Sequence, residues 1–130
     1  MTAMTPEAAV HHVITTDPVF EVGPAEVRGV TFRAFKNIPG TVPALMAAGH
    51  ARHGDGAWEY LAYCDETLTY DQFCAAVHRQ ADALTRQLGV KQGDRVAIAM
   101  RNYPEWMTAY IALTSIGAIA VTLNSWGQAR

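Results

Sequence analysis

The chain has 130 residues, of which 50% are hydrophobic and 17% are charged, and its formal net charge is -2. This composition is typical of a folded protein rather than a disordered one, and the length allows one domain with a core. The Lys and Arg residues are scattered, so the sequence predicts no nucleic-acid binding, which depends on clustered cations that neutralise phosphates.

Residues 1–40 are predicted to form an N-terminal leader that contains an extended arm or a hairpin. Residues 1–18 are polar and weakly patterned, and we expect poor order at the extreme N-terminus. Two β-leaning pieces follow, at residues 19–22 and 27–35, with a Gly-Pro pair at 23–24 between them. Because Gly and Pro interrupt regular elements, this pair is expected to separate the two pieces. Gly29 is a candidate bend.

A helix is predicted next, from the cap residue Thr41 to about Gly54, with Pro43 in its first turn. His50 and His53 lie one turn apart near its end. Two imidazoles there suit the negative end of the helix dipole, and no third ligand follows at a spacing that favours a metal site. The face that this helix would bury is formed by Val42, Leu45, Met46 and Gly49.

Residues 57–63 are aromatic-rich and alternate in part, which favours a strand, and a turn is expected at 64–67. Thr69 and Gln72 then form a capping box, in which each side chain satisfies a free backbone N–H group of the other residue. The helix that follows is expected to end at Gly89. Its apolar stripe comprises Phe73, Val77, Ala81, Leu84 and Leu88. Its solvated face comprises His78, Arg79, Asp82, Arg86 and Gln87.

Residues 94–123 are predicted to form a parallel βαβ unit. Segments 94–100 and 118–123 are short, apolar and bounded by turn signals, as buried strands are. Pro104 suits the first turn of the helix between them, and Gly117 suits its end. Two parallel strands alone do not make a stable sheet, so this unit needs more chain around it.

The sequence also bears on cellular location. Residues 1–12 lack the positive charge and the apolar core of a signal peptide. The apolar run 109–123 is shorter than the roughly 20 residues that a membrane-spanning helix needs. Cys64 and Cys74 are too few for a disulfide framework or a zinc site. We expect a cytoplasmic chain with reduced thiols and no transmembrane segment, and peripheral contact with a membrane stays open.

Four segments, in chain order, resemble motifs of one enzyme family: LTYDQF at 68–73, GVKQGDRVAI at 89–98, RNYPEW at 101–106 and IGAIAVTLN at 116–124. Together they resemble the start of the adenylate-forming superfamily, and in particular the AMP-forming acyl-CoA synthetases of the fatty-acid and medium-chain type. Gln72, Phe73 and Thr122 depart from the usual Glu, Leu and Pro of the family motifs.

This resemblance implies an α/β fold that is an incomplete piece of the large N-terminal domain of an adenylate-forming enzyme. Residues 41–130 would be the first, truncated α/β portion of the AMP-binding domain. The parent enzyme would activate a carboxylic acid, expected to be a fatty acid, on Mg-ATP, release pyrophosphate, and transfer the acyl group to coenzyme A. ATP, Mg and CoA are therefore implied for the full-length parent and none of them for this piece.

The resemblance transfers no catalytic, cofactor-binding or metal-binding residue to this chain. The family holds phosphate with a Gly/Ser/Thr-rich loop that carries a Lys, and the segment 89–93 is too short and lies between a helix and a strand rather than at the start of a helix. Asn102 and Asn124 follow the carboxyl ends of the two predicted parallel strands, where open α/β sheets bind ligands. Capping and turn formation explain both asparagines as well.

Two functional hypotheses follow from the sequence. In the first, the chain is the scaffold segment of an acyl-CoA synthetase and is inactive alone, its partner being the remainder of the parent enzyme. In the second, it is a free-standing, non-catalytic interaction module derived from that scaffold. An exposed sheet edge would favour self-association in either case.

Overall fold

A computed structural model describes residues 4–124. The chain divides into two compact units, Met1–Gly40 and Thr41–Arg130, and each is described by itself. The mixed α/β architecture predicted from the sequence is confirmed, with four α-helices and three two-stranded sheets in the described part. The poor order expected at the extreme N-terminus concerns residues that lie outside the described ones.

The first unit begins with a helix that the sequence analysis missed, α1 (Pro6–Thr16). Thr5 is its cap, and the Thr5 side chain accepts a hydrogen bond of 3.3 Å from the backbone N–H of Ala8. Pro6 takes the first helical position, and Glu7 places a negative charge at the positive end of the helix dipole. The start signal was therefore present, although the segment is polar and weakly patterned.

A hairpin completes the first unit and confirms one of the two predicted alternatives. Strands β1 (Val22–Val27) and β2 (Val30–Phe35) pair antiparallel. The break predicted at 23–24 is wrong, because those residues lie inside β1. The bend predicted at Gly29 is confirmed: the chain turns at Arg28 and Gly29, both with positive φ. Proline is tolerated in β1 because a two-stranded sheet consists of edge strands only. A short 3-10 turn (Pro18–Phe20) replaces the predicted piece at 19–22.

The second unit contains three helices, a β-hairpin and a parallel strand pair. Their bounds are α2 (Val42–His53), β3 (Glu59–Tyr63), β4 (Glu66–Thr69), α3 (Tyr70–Asp82), β5 (Arg95–Ile98), α4 (Pro104–Ser115) and β6 (Ile119–Thr122). The predicted start and end of α2 are confirmed, with Thr41 as its cap and Gly54 at its C-terminal end. Leu45 was expected on the buried face of α2 but is exposed.

Strands β3 and β4 form an antiparallel hairpin. The turn expected at 64–67 is shorter than predicted, since Tyr63 pairs with Glu66 and only Cys64 and Asp65 connect the strands. Cys64 has a φ of 54°, which a two-residue hairpin turn requires. Strand β4 therefore occupies part of the segment that the sequence analysis assigned to the turn.

Helix α3 begins with the predicted capping box. The Thr69 hydroxyl accepts from the Gln72 N–H at 3.2 Å, and the Gln72 side-chain oxygen accepts from the Thr69 N–H at 2.9 Å. Residues Ala83–Gln87 continue the helix as a π-helical turn. Because a π turn takes more residues per turn than an α-helix, the stripe loses its register after Leu84. Leu88, predicted to be buried, is 73% exposed.

The predicted parallel βαβ unit is confirmed. Strands β5 and β6 pair in parallel, with Arg95 opposite Ile119 and Ile98 opposite Thr122. Helix α4 connects them and is followed by Gly117 at a φ of 76°. The core of the second unit lies on both sides of α4, where it packs against α3 on one side and against the strand pair on the other. Its two clusters of buried hydrophobic residues are Phe73, Val77, Ile111 and Ala112, and Ile98, Ala109, Leu113 and Ala118.

Candidate functional site

The two asparagines singled out in the sequence follow the same edge of the parallel strand pair. Because Ile98 is opposite Thr122, the carboxyl ends of β5 and β6 coincide, and Asn102 and Asn124 come shortly after them. Asn102 lines a cleft of about 320 Å³ between the β3–β4 hairpin and the start of α4. We call this the strand-end cleft. Asn124 is not among its lining residues.

The strand-end cleft is largely apolar, and three of its eight lining residues are aromatic. The rings of Tyr63 and Tyr103 meet edge to face with centroids 5.6 Å apart, and Trp106 also lines the cleft. Burial raises the pKa of Tyr63, so its hydroxyl group stays protonated at neutral pH. The polar side-chain groups that line it are the two tyrosine hydroxyls, the Asn102 amide and the Trp106 N–H, which can orient a ligand but supply no activated nucleophile. The carboxylates of Glu66 and Glu105 line an adjoining pocket that shares Tyr63 and Tyr103.

A second cleft, of about 400 Å³, lies among helices α2, α3 and α4, and we call it the helix cleft. It holds more titratable groups than the first, and its lining residues include His50, Asp71, Cys74, His78 and Ser115. His50 Nε2 lies 3.4 Å from Asp71 Oδ1. His50 thus contacts a carboxylate on α3 rather than a second imidazole, while the His53 ring lies 4.7 Å from that of Trp58.

The potential nucleophiles of the helix cleft are held in inactive forms. Burial raises the pKa of the Cys74 thiol, so it is protonated at neutral pH and is a weak nucleophile. The Ser115 hydroxyl donates a 2.6 Å hydrogen bond to the Ile111 carbonyl oxygen of its own helix rather than to a base. Within residues 4–124, no group of three or more His, Cys, Asp or Glu side chains is arranged to hold a metal ion.

An aromatic cluster supports the wall of the helix cleft. Tyr70 is buried, and its ring stacks on that of Trp58 with centroids 5.1 Å apart and an interplanar angle of 17°. Tyr60 meets Tyr70 edge to face at 5.1 Å and also contacts Phe73. Sequence analysis placed no functional residue here. The available signal was the aromatic-rich segment 57–63, but which helix it would contact could not be read from a local pattern.

The loop between α3 and β5 has the wrong structure for binding phosphate. The Val90 N–H donates to the Leu84 carbonyl oxygen at 2.9 Å, and the Gly93 N–H donates to the Gly117 carbonyl oxygen at 2.9 Å. The Lys91 N–H donates to the Asp94 carboxylate at 2.8 Å. Phosphate loops present free backbone N–H groups to the ligand, whereas these three amides are used within the protein. This loop therefore does not have the form of a phosphate loop, and we assign no reaction step to it.

Comparisons with known proteins point to one family. The family model described as AMP-binding enzyme matches residues 49–129. The medium/long-chain-fatty-acid–CoA ligase FadD6 of Mycobacterium tuberculosis is 35% identical over 103 residues, which cover 78% of this chain and 17% of the ligase. The 3-hydroxybenzoate–CoA/4-hydroxybenzoate–CoA ligase of Thauera aromatica is 39% identical over 71 residues, which cover 55% of this chain and 13% of that ligase.

A solved structure agrees with these relatives. The O-succinylbenzoate coenzyme A synthetase MenE of Bacillus subtilis, in complex with AMP, matches with a TM-score of 0.51 and 34% identity over 54% of this chain and 18% of that one. The chain thus spans less than a fifth of the length of each of these proteins. In the described part of the chain, no helix is long and apolar enough to cross a membrane.

Proposed function

The chain belongs to the AMP-binding enzyme family, and from that premise we propose that it is the N-terminal scaffold segment of an AMP-forming acyl-CoA synthetase. The observation that supports this most is the position of the match. Residues 49–129 include the part of the second unit in which α4 packs against α3 and against the β5–β6 pair. The resemblance thus extends over a continuous piece of tertiary structure rather than a short motif.

The proposed activity of the parent enzyme is the ATP-dependent activation of a carboxylic acid to an acyl-adenylate and then to an acyl-CoA. A fatty acid is the proposed substrate, because a relative that aligns with 78% of this chain is named a medium/long-chain-fatty-acid–CoA ligase. ATP, Mg and CoA would bind to the remainder of the parent enzyme, which is the proposed partner of this segment. The proposed location is the cytoplasm.

In this proposal the segment contributes structure rather than chemistry. The strand-end cleft and the helix cleft hold no activated nucleophile, and the Val90, Lys91 and Gly93 amides of the α3–β5 loop are occupied by internal hydrogen bonds. Transition states of acyl and phosphoryl transfer need donors and cations aimed at developing charge. The proposed role is structural: the segment positions the β5–β6 sheet and the α3–α4 layer, against which the remainder of the parent enzyme would place its catalytic residues.

The test begins with the DNA downstream of codon 130. We expect a continuing reading frame that encodes a Gly/Ser/Thr-rich loop with a Lys. The longer protein should then catalyse ATP–pyrophosphate exchange with fatty acids, and a hydroxybenzoate serves as the competing substrate class. Exchange with hydroxybenzoate alone would refute the fatty-acid assignment, and no exchange with any carboxylic acid would refute the activity.

The 130-residue chain is tested separately by calorimetric titration with Mg-ATP. We expect no heat of binding, because the described residues provide no phosphate loop. Micromolar affinity would show that the chain binds nucleotide by itself and would contradict the scaffold role.

The alternative function is a free-standing interaction module. It is favoured by the β5–β6 sheet, which has two strands among residues 4–124 and leaves hydrophobic side chains of β6 exposed. A stop codon directly after codon 130, together with a folded and monodisperse chain, would support this function over the first.

A further inference from the structure

We draw no further inference here: the strongest candidate, the helix cleft among α2, α3 and α4 with the side chains of His50, Asp71, Cys74 and His78 in its lining, carries no proposal because nothing in the structure shows what covers it.

Discussion

The hydroxyl group of Tyr70 donates a hydrogen bond to the backbone carbonyl oxygen of Met46 and so joins the first turn of α3 to the middle of α2. Tyr70 is 3% exposed, and its ring is held by Trp58 and Tyr60. Buried polar groups require hydrogen-bond partners, and this bond gives the Tyr70 hydroxyl group a partner in place of water. It also fixes the separation of two helices that line the helix cleft.

Replacing Tyr70 with Phe tests how much this hydrogen bond contributes to the free energy of unfolding. Tyr70→Phe keeps the ring and removes the hydroxyl group, so we expect a loss of about 1 kcal/mol in the free energy of unfolding. Urea denaturation gives the value. Tyr103→Phe is the matched control. Because Tyr103 is 43% exposed, this substitution should change the free energy of unfolding by close to zero. Equal losses in the two variants would mean that the Tyr70 bond contributes nothing specific.

The same residue predicts a dependence of stability on alkaline pH. Burial raises the pKa of Tyr70 to about 12, while an unfolded tyrosine titrates near pH 10. Because the folded pKa is above the unfolded one, the stabilisation is fully present below about pH 10 and is lost as the pH rises toward about 12. The unfolding free energy of the wild type should therefore fall more steeply in that window than that of Tyr70→Phe. If the unfolding free energies of the wild type and of Tyr70→Phe fell equally with pH, the raised pKa of Tyr70 would be contradicted.

Two leucines near the end of α3 should respond differently to truncation. Leu84 packs against both hydrophobic clusters of the second unit, and Leu84→Ala should cost about 2 kcal/mol or more. Leu88 is 73% exposed, and Leu88→Ala should change stability by less than about 0.5 kcal/mol. Chemical denaturation of both variants measures the difference. A larger loss at Leu88 would show that the helix continues without the π turn.

Two glycines of the second unit should respond in opposite directions to an added methyl group. A Cβ at Gly56 would lie 1.8 Å from the Asp71 Oδ1 atom, so Asp71 must move and its 3.4 Å contact with His50 is lost. Gly56→Ala should destabilise the protein by about 1 kcal/mol. Gly49 lies within α2, and a methyl group added there would meet open space. Gly49→Ala should therefore stabilise the protein by about 0.5 to 1 kcal/mol. Thermal or urea denaturation of both variants gives the two values, and a gain in both would show that Asp71 moves freely.

Local interactions explain what the sequence could predict. The capping box of Thr69 and Gln72 spans three residues, and its geometry follows from residue type and spacing alone. The βαβ unit was predictable for the same reason, because its strands and helix are marked by short apolar runs and by Pro104 and Gly117. Helix α1 was missed because an apolar pattern was sought, whereas its start is set by the polar cap of Thr5.

Contacts between distant segments explain what the sequence could not predict. The partners Tyr70 and Met46 are 24 positions apart, and no periodicity indicates that they meet. The helix cleft depends on the packing of three helices, so its lining residues could not be grouped from spacing. The π turn at Ala83–Gln87 shifted Leu88 into solvent, because one widened turn changes the register of everything that follows it.

The three sheets share a property that bears on how the chain acquires its structure. Each sheet pairs strands that are consecutive in the sequence: β1 with β2, β3 with β4, and β5 with β6. Pairings between near neighbours close short loops, and chains rich in such contacts fold quickly. The β1–β2 and β3–β4 hairpins can therefore form as soon as their second strands leave the ribosome, whereas the parallel β5–β6 pair must wait for helix α4 and for more chain around it.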